Sequence, residues 1–299
     1  GVQPAYFMDE FVDATVAIKA HPDWQAAMAK RGITDFELVQ IDPWTTGNFI
    51  TPGDDGRRIS RGLSYLRTSP TDNGYARPIE GVVAFVDMNS GEVIRIEDYG
   101  VRPIPPNHGS YFPEDNGPLR EDIKPLEIHQ ADGPSFDVHG HEIAWQKWRF
   151  RISMHPLDGL VLHTVTYNDS GRERSILHRA SLAEMVVPYG DPSPAHYWKN
   201  AFDGGEYGIG KLVNALELGC DCLGEIRYFD AAFVEPDGSA TLARNAICLH
   251  EEDFGILWKH VDGRGDTTEV RRSRRLVVVM VRQVAGDAGQ DVGGHDQPL

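Results

Sequence analysis

An aspartate lies in a glycine-rich stretch at residues 200–214, which reads NAFDGGEYGIGKLVN. From Gly205 onward the stretch comes close to the phosphate-binding loop G-x-x-x-x-G-K-[ST], whose last hydroxyl binds Mg²⁺ and which follows a buried strand. Here Leu212 stands in place of the hydroxyl, and the preceding SPAHYWKNAFD is not an apolar strand. A nucleotide loop is therefore disfavoured. On composition alone, Asp203 is an acid that forms an Asx-turn or a helix cap.

Two groups of histidines have metal-like spacing, but neither completes a site. His139 and His141 would share one face of a strand, as copper or zinc ligands do, yet a third ligand is not evident. The segment 250–253 (HEED) begins like the zinc motif H-E-x-x-H, with Phe254 in place of the second histidine. It is either a buried hydrogen-bonded network or a solvated turn, and the sequence leaves both open.

The cysteines and the arginine cluster also favour structural roles. Three cysteines, Cys220, Cys222 and Cys248, are too few for a disulfide scaffold or a four-ligand zinc site, which leaves one disulfide or none. The basic run at 271–275 (RRSRR) is expected to be a solvated strand entry or to form ion pairs. Since there is no G-x-S-x-G elbow and no cysteine in a nucleophile setting, hydrolase chemistry has no support.

Composition excludes some classes of partner. The chain has 299 residues, 40% of them hydrophobic, and a formal net charge of -16, which argues against a nucleic-acid surface. The longest aliphatic run, 276–281 (LVVVMV), is far too short to span a bilayer, and no charged-then-apolar leader opens the chain. We expect a soluble protein that binds neither nucleic acid nor membrane, with a cytoplasmic location favoured.

The first hundred residues predict a small α+β domain. Apolar residues at helical spacing predict a first helix over 5–20, and Pro22 opens a second that stops at Gly32. Strands are predicted at 36–41 and 59–68. The segment 82–98 then predicts a hairpin that turns at Asn89-Ser90-Gly91.

The rest of the chain predicts a linker, a large antiparallel β region and a tail. Prolines between Pro103 and Pro125 predict an extended connection, and alternating β-branched runs follow from about residue 131. One patch at 179–186 (RASLAEMV) is a candidate helix among the strands. The predicted regions are a small α+β domain at 1–100, a Pro-rich linker at 101–130, a partial catalytic β-sandwich at 131–281 and an unstructured tail at 282–299.

Four stretches, taken together, resemble the copper-containing quinone amine oxidases, in particular the microbial ones. They are RASLAEMVVPYGDPSP at 179–194, FDGGEYGIG at 202–210, LELGCDCLGEIRYFDA at 216–231 and NAICLHEEDFGILWKH at 245–260. The likeness runs from residue 1 to about 281. It implies an α+β N-terminal domain followed by the first part of a large antiparallel β-sandwich, the supersandwich that forms the family's homodimer core.

The resemblance also implies a chemistry. Enzymes of this family use O₂ to oxidise a primary amine to an aldehyde, with release of ammonia and hydrogen peroxide. Their cofactors are copper and topaquinone, a quinone made from one of their own tyrosines. An aspartate removes a proton from the amine-bearing carbon, which requires a poorly hydrated carboxylate. Asp203 matches that catalytic base, and the glycines around it would let the backbone bring it to the quinone.

Other positions match the family's pattern as well. Tyr189 matches the cofactor-binding tyrosine whose hydroxyl bonds a quinone oxygen, and Tyr207 falls where the substrate channel is lined. Ala201 occupies a channel position where some relatives carry an aromatic gate, so the preferred amine size is open. Cys222 and Cys248 match the family's disulfide pair, which leaves Cys220 free.

The likeness stops in the last strand. Continuing the frame places Asp287 where the family has the tyrosine that becomes the quinone, and none of the three copper-binding histidines is matched. No metal-binding residue is predicted, and we expect that neither copper nor topaquinone can be held or formed. A truncated or frame-slipped copy, inactive alone and poorly soluble, is the leading hypothesis. The alternative is a non-catalytic interaction module that binds a full-length relative.

Overall fold

The computed structural model describes residues 4, 6–47, 49, 53–54, 56–118, 120–219, 221–235, 237–261, 263 and 268–281. These residues form two compact units. The first draws on Gly1–Ile123 and Met185–Glu206, and the second on Lys124–Glu184 and Tyr207–Val284. The return of 185–206 to the first unit has no local sequence signal. The predicted linker and domain limits stay predictions, and the predicted tail at 282–299 lies outside the described residues.

Strands dominate the described part of the chain. The helices are α1 (Met8–Ala20), α2 (Pro22–Ala29), α3 (Pro113–Asn116) and α4 (Asp203–Glu206). The first nine strands are β1 (Val39–Thr45), β2 (Ile59–Leu66), β3 (Val82–Asp87), β4 (Glu92–Asp98), β5 (Phe136–His139), β6 (Glu142–Trp145), β7 (Trp148–His155), β8 (Gly159–Asp169) and β9 (Arg172–Ser181). The others are β10 (Val186–Pro188), β11 (Asn200–Phe202), β12 (Arg227–Val234), β13 (Ala240–Val261) and β14 (Thr268–Val279).

His21 separates the two N-terminal helices and caps the second. Its Nδ1 accepts a hydrogen bond from the backbone N–H of Asp23 at 3.3 Å. Pro22 lies in the first turn of α2, where its missing N–H costs nothing. Both helices confirm the prediction from apolar spacing and the proline.

The first unit is built around an antiparallel sheet in the order β1-β2-β3-β4. Successive residues of β3 face opposite sides, so Val82 and Ala84 join the core beneath the helices while Val83 and Phe85 join a second core. Gly62 lets α1 approach closely, since a Cβ there would lie 2.5 Å from Cδ1 of Ile18. The second face packs against Ala195, Trp198 and Ala201 of the returning segment.

The second unit is a two-sheet β structure. A five-stranded antiparallel meander runs β5-β6-β7-β8-β9, and a three-stranded sheet runs β12-β13-β14. Ile143, Ile152 and Val165 of the meander share one apolar cluster with Phe229 and Leu249 of the other sheet. The two sheets therefore pack face to face, which confirms the predicted β-sandwich and, with the first unit, the predicted fold class.

The predicted helical patch at 179–186 is wrong. Residues 172–181 form β9, which pairs with β8 after the turn at Asn168–Gly171, and 186–188 form β10. Pairing with β8 outweighs the local helical preference of this patch. Among the described residues, no helix is both long enough and apolar enough to cross a membrane.

Candidate active site

The returning segment 185–206 holds three of the predicted site residues. Its strands β10 and β11 pair so that Val186 faces Phe202 and Pro188 faces Asn200. Asp203 follows directly as the first residue of α4, and its backbone N–H donates to the Met185 carbonyl at 3.0 Å. The side chain is only 5% exposed. The short ladder therefore fixes a buried carboxylate at its end.

Tyr189 lies close enough to Asp203 for their charges to interact. Burial raises the pKa of the Tyr189 hydroxyl, and the negative charges of Asp42 and Asp203 raise it further. The tyrosine is 52% exposed. The structure thus brings together two of the residues that the sequence assigns to the site, Tyr189 and Asp203.

The ammonium group of a lysine packs against the rings of Tyr189 and Trp44. The Lys199 ammonium lies 4.3 Å from the ring centroids of both Trp44 and Tyr189, and the two rings meet edge to face at 5.2 Å. Burial lowers the pKa of Lys199, and the charge of Asp42 partly opposes that shift. No sequence motif marks Lys199, because its cage forms between segments that are far apart in the chain.

Asp42 is the acid of this cluster. Its Oδ2 accepts a hydrogen bond from Trp44 Nε1 at 2.8 Å. Burial raises the pKa of Asp42 to about 6, while the hydrogen bonds from Trp44 and Tyr75 and the charge of Lys199 pull it down. The group therefore titrates close to neutral pH.

The two predicted channel residues lie in different surroundings. Ala201 is buried in the apolar cluster that includes Leu63 and Trp198. Tyr207 is half-buried and is the residue at which the chain re-enters the second unit. Their roles in a substrate channel stay predictions.

The glycines after Tyr207 pack against the turn between β7 and β8. The backbone N–H of Ile209 donates to the Leu157 carbonyl at 2.8 Å, and those of Gly210 and Lys211 donate to the Pro156 carbonyl at 3.1 Å. A Cβ on Gly210 would lie 2.0 Å from the His155 carbonyl oxygen. Because these amides already have protein partners, the stretch does not cradle a phosphate.

In the segment His250–Asp253 of β13, His250 and Glu251 are buried in a hydrogen-bonded network, whereas Asp253 is exposed. The Glu251 carboxylate accepts hydrogen bonds from the Ser135 backbone N–H at 2.7 Å, from Gln130 Nε2 at 2.8 Å and from Trp145 Nε1 at 2.8 Å. Burial by itself would raise the pKa of Glu251, but these three donors outweigh it and hold the pKa below its usual value. Of the two alternatives left open by the sequence, the network is the one found.

The arginine run forms ion pairs across the β13–β14 ladder, in line with its predicted role. Arg272 pairs with Asp253, and Arg275 pairs with Glu252. His139 and His141 are both exposed, and the ring of His141 stacks on Phe229 at 6.0 Å. The described residues therefore do not bring these histidines into a metal site.

Cys222 and Cys248 form a disulfide, as the resemblance implies. With His250 they are also the one set of potential metal ligands that the described part of the chain brings within reach of a single ion. With both sulfur atoms bonded to each other, this set does not fit a copper centre ligated by three histidines. No chemical step through copper or a quinone follows from the described residues.

Comparison with known proteins gives a consistent answer. The family model for the copper amine oxidase N3 domain matches residues 9–114, and that for the copper amine oxidase enzyme domain matches residues 137–286. A primary amine oxidase and a copper methylamine oxidase of Arthrobacter sp. (strain P1) are each 48% identical over 286 residues, covering 95% of this chain and 44% of the relative. A peroxisomal copper-containing diamine oxidase of Nicotiana tabacum is 47% identical over 292 residues, which cover 95% of this chain and 37% of the relative.

Solved structures agree on the fold. A copper-containing benzylamine oxidase from Hansenula polymorpha superposes with a TM-score of 0.79 at 32% identity, covering 95% of this chain and 46% of that one. An Aspergillus nidulans amine oxidase superposes at 0.69 and 18% identity, which shows the fold alone.

The two units and the matched domains are those of one enzyme family. The chain belongs to the copper amine oxidase family. It spans less than half the length of these relatives, 44% of the Arthrobacter enzymes and 37% of the tobacco one. The predicted cytoplasmic location stays a prediction.

Proposed function

We propose that this chain carries the proton-abstracting part of an amine oxidase that converts primary amines to aldehyde, ammonia and hydrogen peroxide, with O₂ as the oxidant. The observation that carries the proposal is the buried Asp203 carboxylate, held at the end of the β10–β11 ladder within electrostatic reach of Tyr189. A positioned carboxylate can take the proton from the carbon that bears the amine, and such general bases contribute about 10²–10⁴-fold to rate.

In this proposal the neighbouring residues orient and admit the substrate. Tyr189, whose residue is half-exposed, presents its hydroxyl to a quinone oxygen. Ala201 lies in the substrate channel, where its small side chain leaves room for a wider amine than an aromatic gate would admit.

The role of Asp203 can be tested in a chimera. Residues 1–281 of this chain would replace the matching region of the Arthrobacter methylamine oxidase, which supplies the rest of its own site. Asp203→Asn should lower kcat/KM for methylamine by about 10²–10⁴-fold. The matched control is Asp191→Asn, an acid in the same segment that pairs with His196 at 2.9 Å and should leave the rate within about twofold. Equal rates for the two variants would exclude Asp203 as the base.

We also propose that the chain does not oxidise amines by itself, because Asp287 stands at the position of the quinone tyrosine. No oxidation converts an aspartate to a quinone. The test is peroxide release from the purified chain, supplied with Cu²⁺ and a panel of primary amines, alongside the Arthrobacter enzyme as positive control. Peroxide that disappears in the Asp203→Asn variant would show that the chain is a complete catalyst.

A second candidate function is association with a second copy, as in the family's homodimers. The far half of the β13–β14 hairpin exposes a set of large apolar side chains on both strands: Phe254, Ile256, Leu257, Trp258, Val261 and Val270. Exposed large apolar side chains concentrated in one hairpin favour an interaction site. The ion-paired arginines beside it would give the interface a polar rim.

This second candidate predicts a concentration-dependent dimer. Leu257→Lys should weaken the dimer at least about tenfold, since it places a charge in the apolar contact. Leu126→Lys changes an equally exposed leucine outside the hairpin and serves as the control. Sedimentation velocity that shows a monomer for all three proteins at every concentration would remove this candidate.

A further inference from the structure

We propose that Cys222, Cys248 and His250 form a buried binding site for a thiophilic cation, Zn²⁺ or Cu⁺, once the Cys222–Cys248 disulfide is reduced. The two sulfur atoms and one ring nitrogen of His250 all lie within 4.8 Å of one another. Ligand atoms around one Zn²⁺ stand about 3.3–3.8 Å apart, given Zn–S and Zn–N bonds of about 2.3 and 2.0 Å. Small side-chain movements therefore bring all three ligands onto one ion.

The fold itself brings the three residues together. Cys248 and His250 are two residues apart in β13, so their side chains lie on the same face of the strand. Cys222 comes from the loop before β12, where a bridge between Leu218 and Cys222 closes a tight turn. The α-carbons of the two cysteines are 7.0 Å apart, slightly beyond the usual range for bridged cysteines.

The state of His250 is the observation that points to a ligand. The ring is 2% exposed, and its Nε2 lies 3.0 Å from Oε1 of Glu252, which also pairs with Arg275. Nδ1 is buried and has no hydrogen-bond partner among the described residues. When Nε2–H donates to Glu252, Nδ1 keeps a free lone pair. A carboxylate on the far nitrogen is the arrangement that orients metal-binding histidines in general.

The surroundings suit a soft cation rather than a hard one. Leu216 is fully buried next to both cysteines, and Ile226, Tyr228, Val279 and Val281 pack around them. Two thiolates and one imidazole in an apolar shell select Zn²⁺ or Cu⁺ over Mg²⁺ or Ca²⁺, which require oxygen ligands. Glu252 acts here as a positioning residue for His250 and is not itself a ligand.

The switch between the two states balances in atoms and charge. A dithiol reductant supplies two electrons and two protons to the disulfide and is itself oxidised to a disulfide, leaving two protein thiols. Binding of the cation then displaces the two thiol protons, and neutral His250 adds its lone pair. The proposed site does not depend on the function proposed above.

The test compares the full chain with its disulfide intact and after reduction by a trialkylphosphine, which takes an oxygen atom from water to become a phosphine oxide and is removed before the titration. Zn²⁺ is titrated in one arm, and Cu⁺ is titrated without oxygen as its acetonitrile complex in the other. We expect one ion per reduced chain in at least one arm and none for the oxidised chain. Co²⁺ in place of Zn²⁺ should show a thiolate charge-transfer band, which reports the sulfur ligands directly.

Variants separate a built site from incidental binding. His250→Gln should weaken binding at least about tenfold, and Glu252→Gln about 10–100-fold, since outer-sphere carboxylates typically contribute that much. Cys220→Ser and His178→Gln, which change the third cysteine and an exposed histidine, should bind like the unmutated chain. Circular dichroism checks that each reduced protein stays folded. Equal uptake by the oxidised chain or by His250→Gln, or uptake that persists in concentrated urea, would overturn the proposal.

Discussion

At the scale of single residues, Asp42 is an aspartate whose pKa is unusually high. It lies beside Trp44 and within the field of Lys199, yet burial still dominates and raises its pKa to about 6. A buried carboxylate near neutrality costs stability whenever it is ionised. Neither its burial nor the aromatic cage around Lys199 is visible in the run VQIDPWT that contains it.

Asp42→Asn should stabilise the chain at high pH. Because the folded pKa of Asp42 lies above the unfolded one, the folded state keeps a proton that the unfolded state has lost between about pH 4 and pH 6. The contribution of Asp42 to the stability of the unmutated chain therefore falls as the pH rises from about 4 to about 6. At pH 8 the free energy of unfolding of the variant should exceed that of the unmutated chain by roughly 1–2 kcal/mol. This is less than the full pKa shift corresponds to, because Lys199 loses its partner charge. By pH 4 the difference should disappear.

Urea unfolding at several pH values measures this difference. The control is Asp13→Asn, an exposed acid on α1, which should track the unmutated chain at every pH. A gain for Asp42→Asn that is independent of pH would mean that the amide improves packing rather than removing a charge.

At the scale of elements, the loop 207–211 is defined by its contact with the β7–β8 turn. Three consecutive amides donate to the carbonyls of residues 156 and 157, so the two backbones lie too close for a side chain between them. Gly208 is in the left-handed region with φ +80, and a Cβ there would also lie 2.7 Å from the Pro156 carbonyl. These glycines are needed for backbone packing.

Gly210→Ala should destabilise the second unit by about 2 kcal/mol or more, because the backbone has to move away from the His155 carbonyl. Gly263→Ala is the matched change, since a Cβ there meets nothing within 4 Å, and it should stay within about 0.5 kcal/mol. Denaturant midpoints give both values. Equal midpoints would show that the loop can relax at no cost.

At the scale of the whole molecule, several of the acidic side chains form ion pairs with arginines. In the first unit, Arg31 donates to Asp98, Arg58 pairs with Glu10 and Arg95 pairs with Asp54. The hydrogen bond from Arg31 lowers the pKa of Asp98 to about 2. In the second unit, Glu251 is held ionised by its three donors.

The chain should therefore lose stability steeply below about pH 4. Carboxylates with lowered folded pKa values stabilise the fold above their unfolded pKa, and that contribution disappears as pH falls through the folded value. Asp98 contributes at most about 1 kcal/mol of this between about pH 4 and pH 2, because solvent screens its exposed pairs with Arg31 and Lys30. Urea unfolding from pH 7 to pH 2 measures the decline, which Asp98→Asn should make shallower. A stability that stays level below pH 4 would contradict this account.

The local sequence determined the parts of the fold whose signals lie within a few residues. Apolar spacing and Pro22 located α1 and α2, and Asn89-Ser90-Gly91 located the β3–β4 turn. Helical spacing and turn residues act over one or two turns of chain, so they are readable without the fold. The patch at 179–186 failed because its strand state depends on a partner, β8, rather than on its own residues.

The tertiary structure alone decided which distant residues meet. Glu251 is satisfied by Gln130, 121 positions away in the chain, and Asp42 and Lys199 meet around Trp44 only because the chain returns to the first unit. Likewise, the residues themselves left one disulfide or none, while folding placed Cys222, Cys248 and His250 together. Such contacts depend on how whole strands and loops pack, and that information is spread over the entire chain.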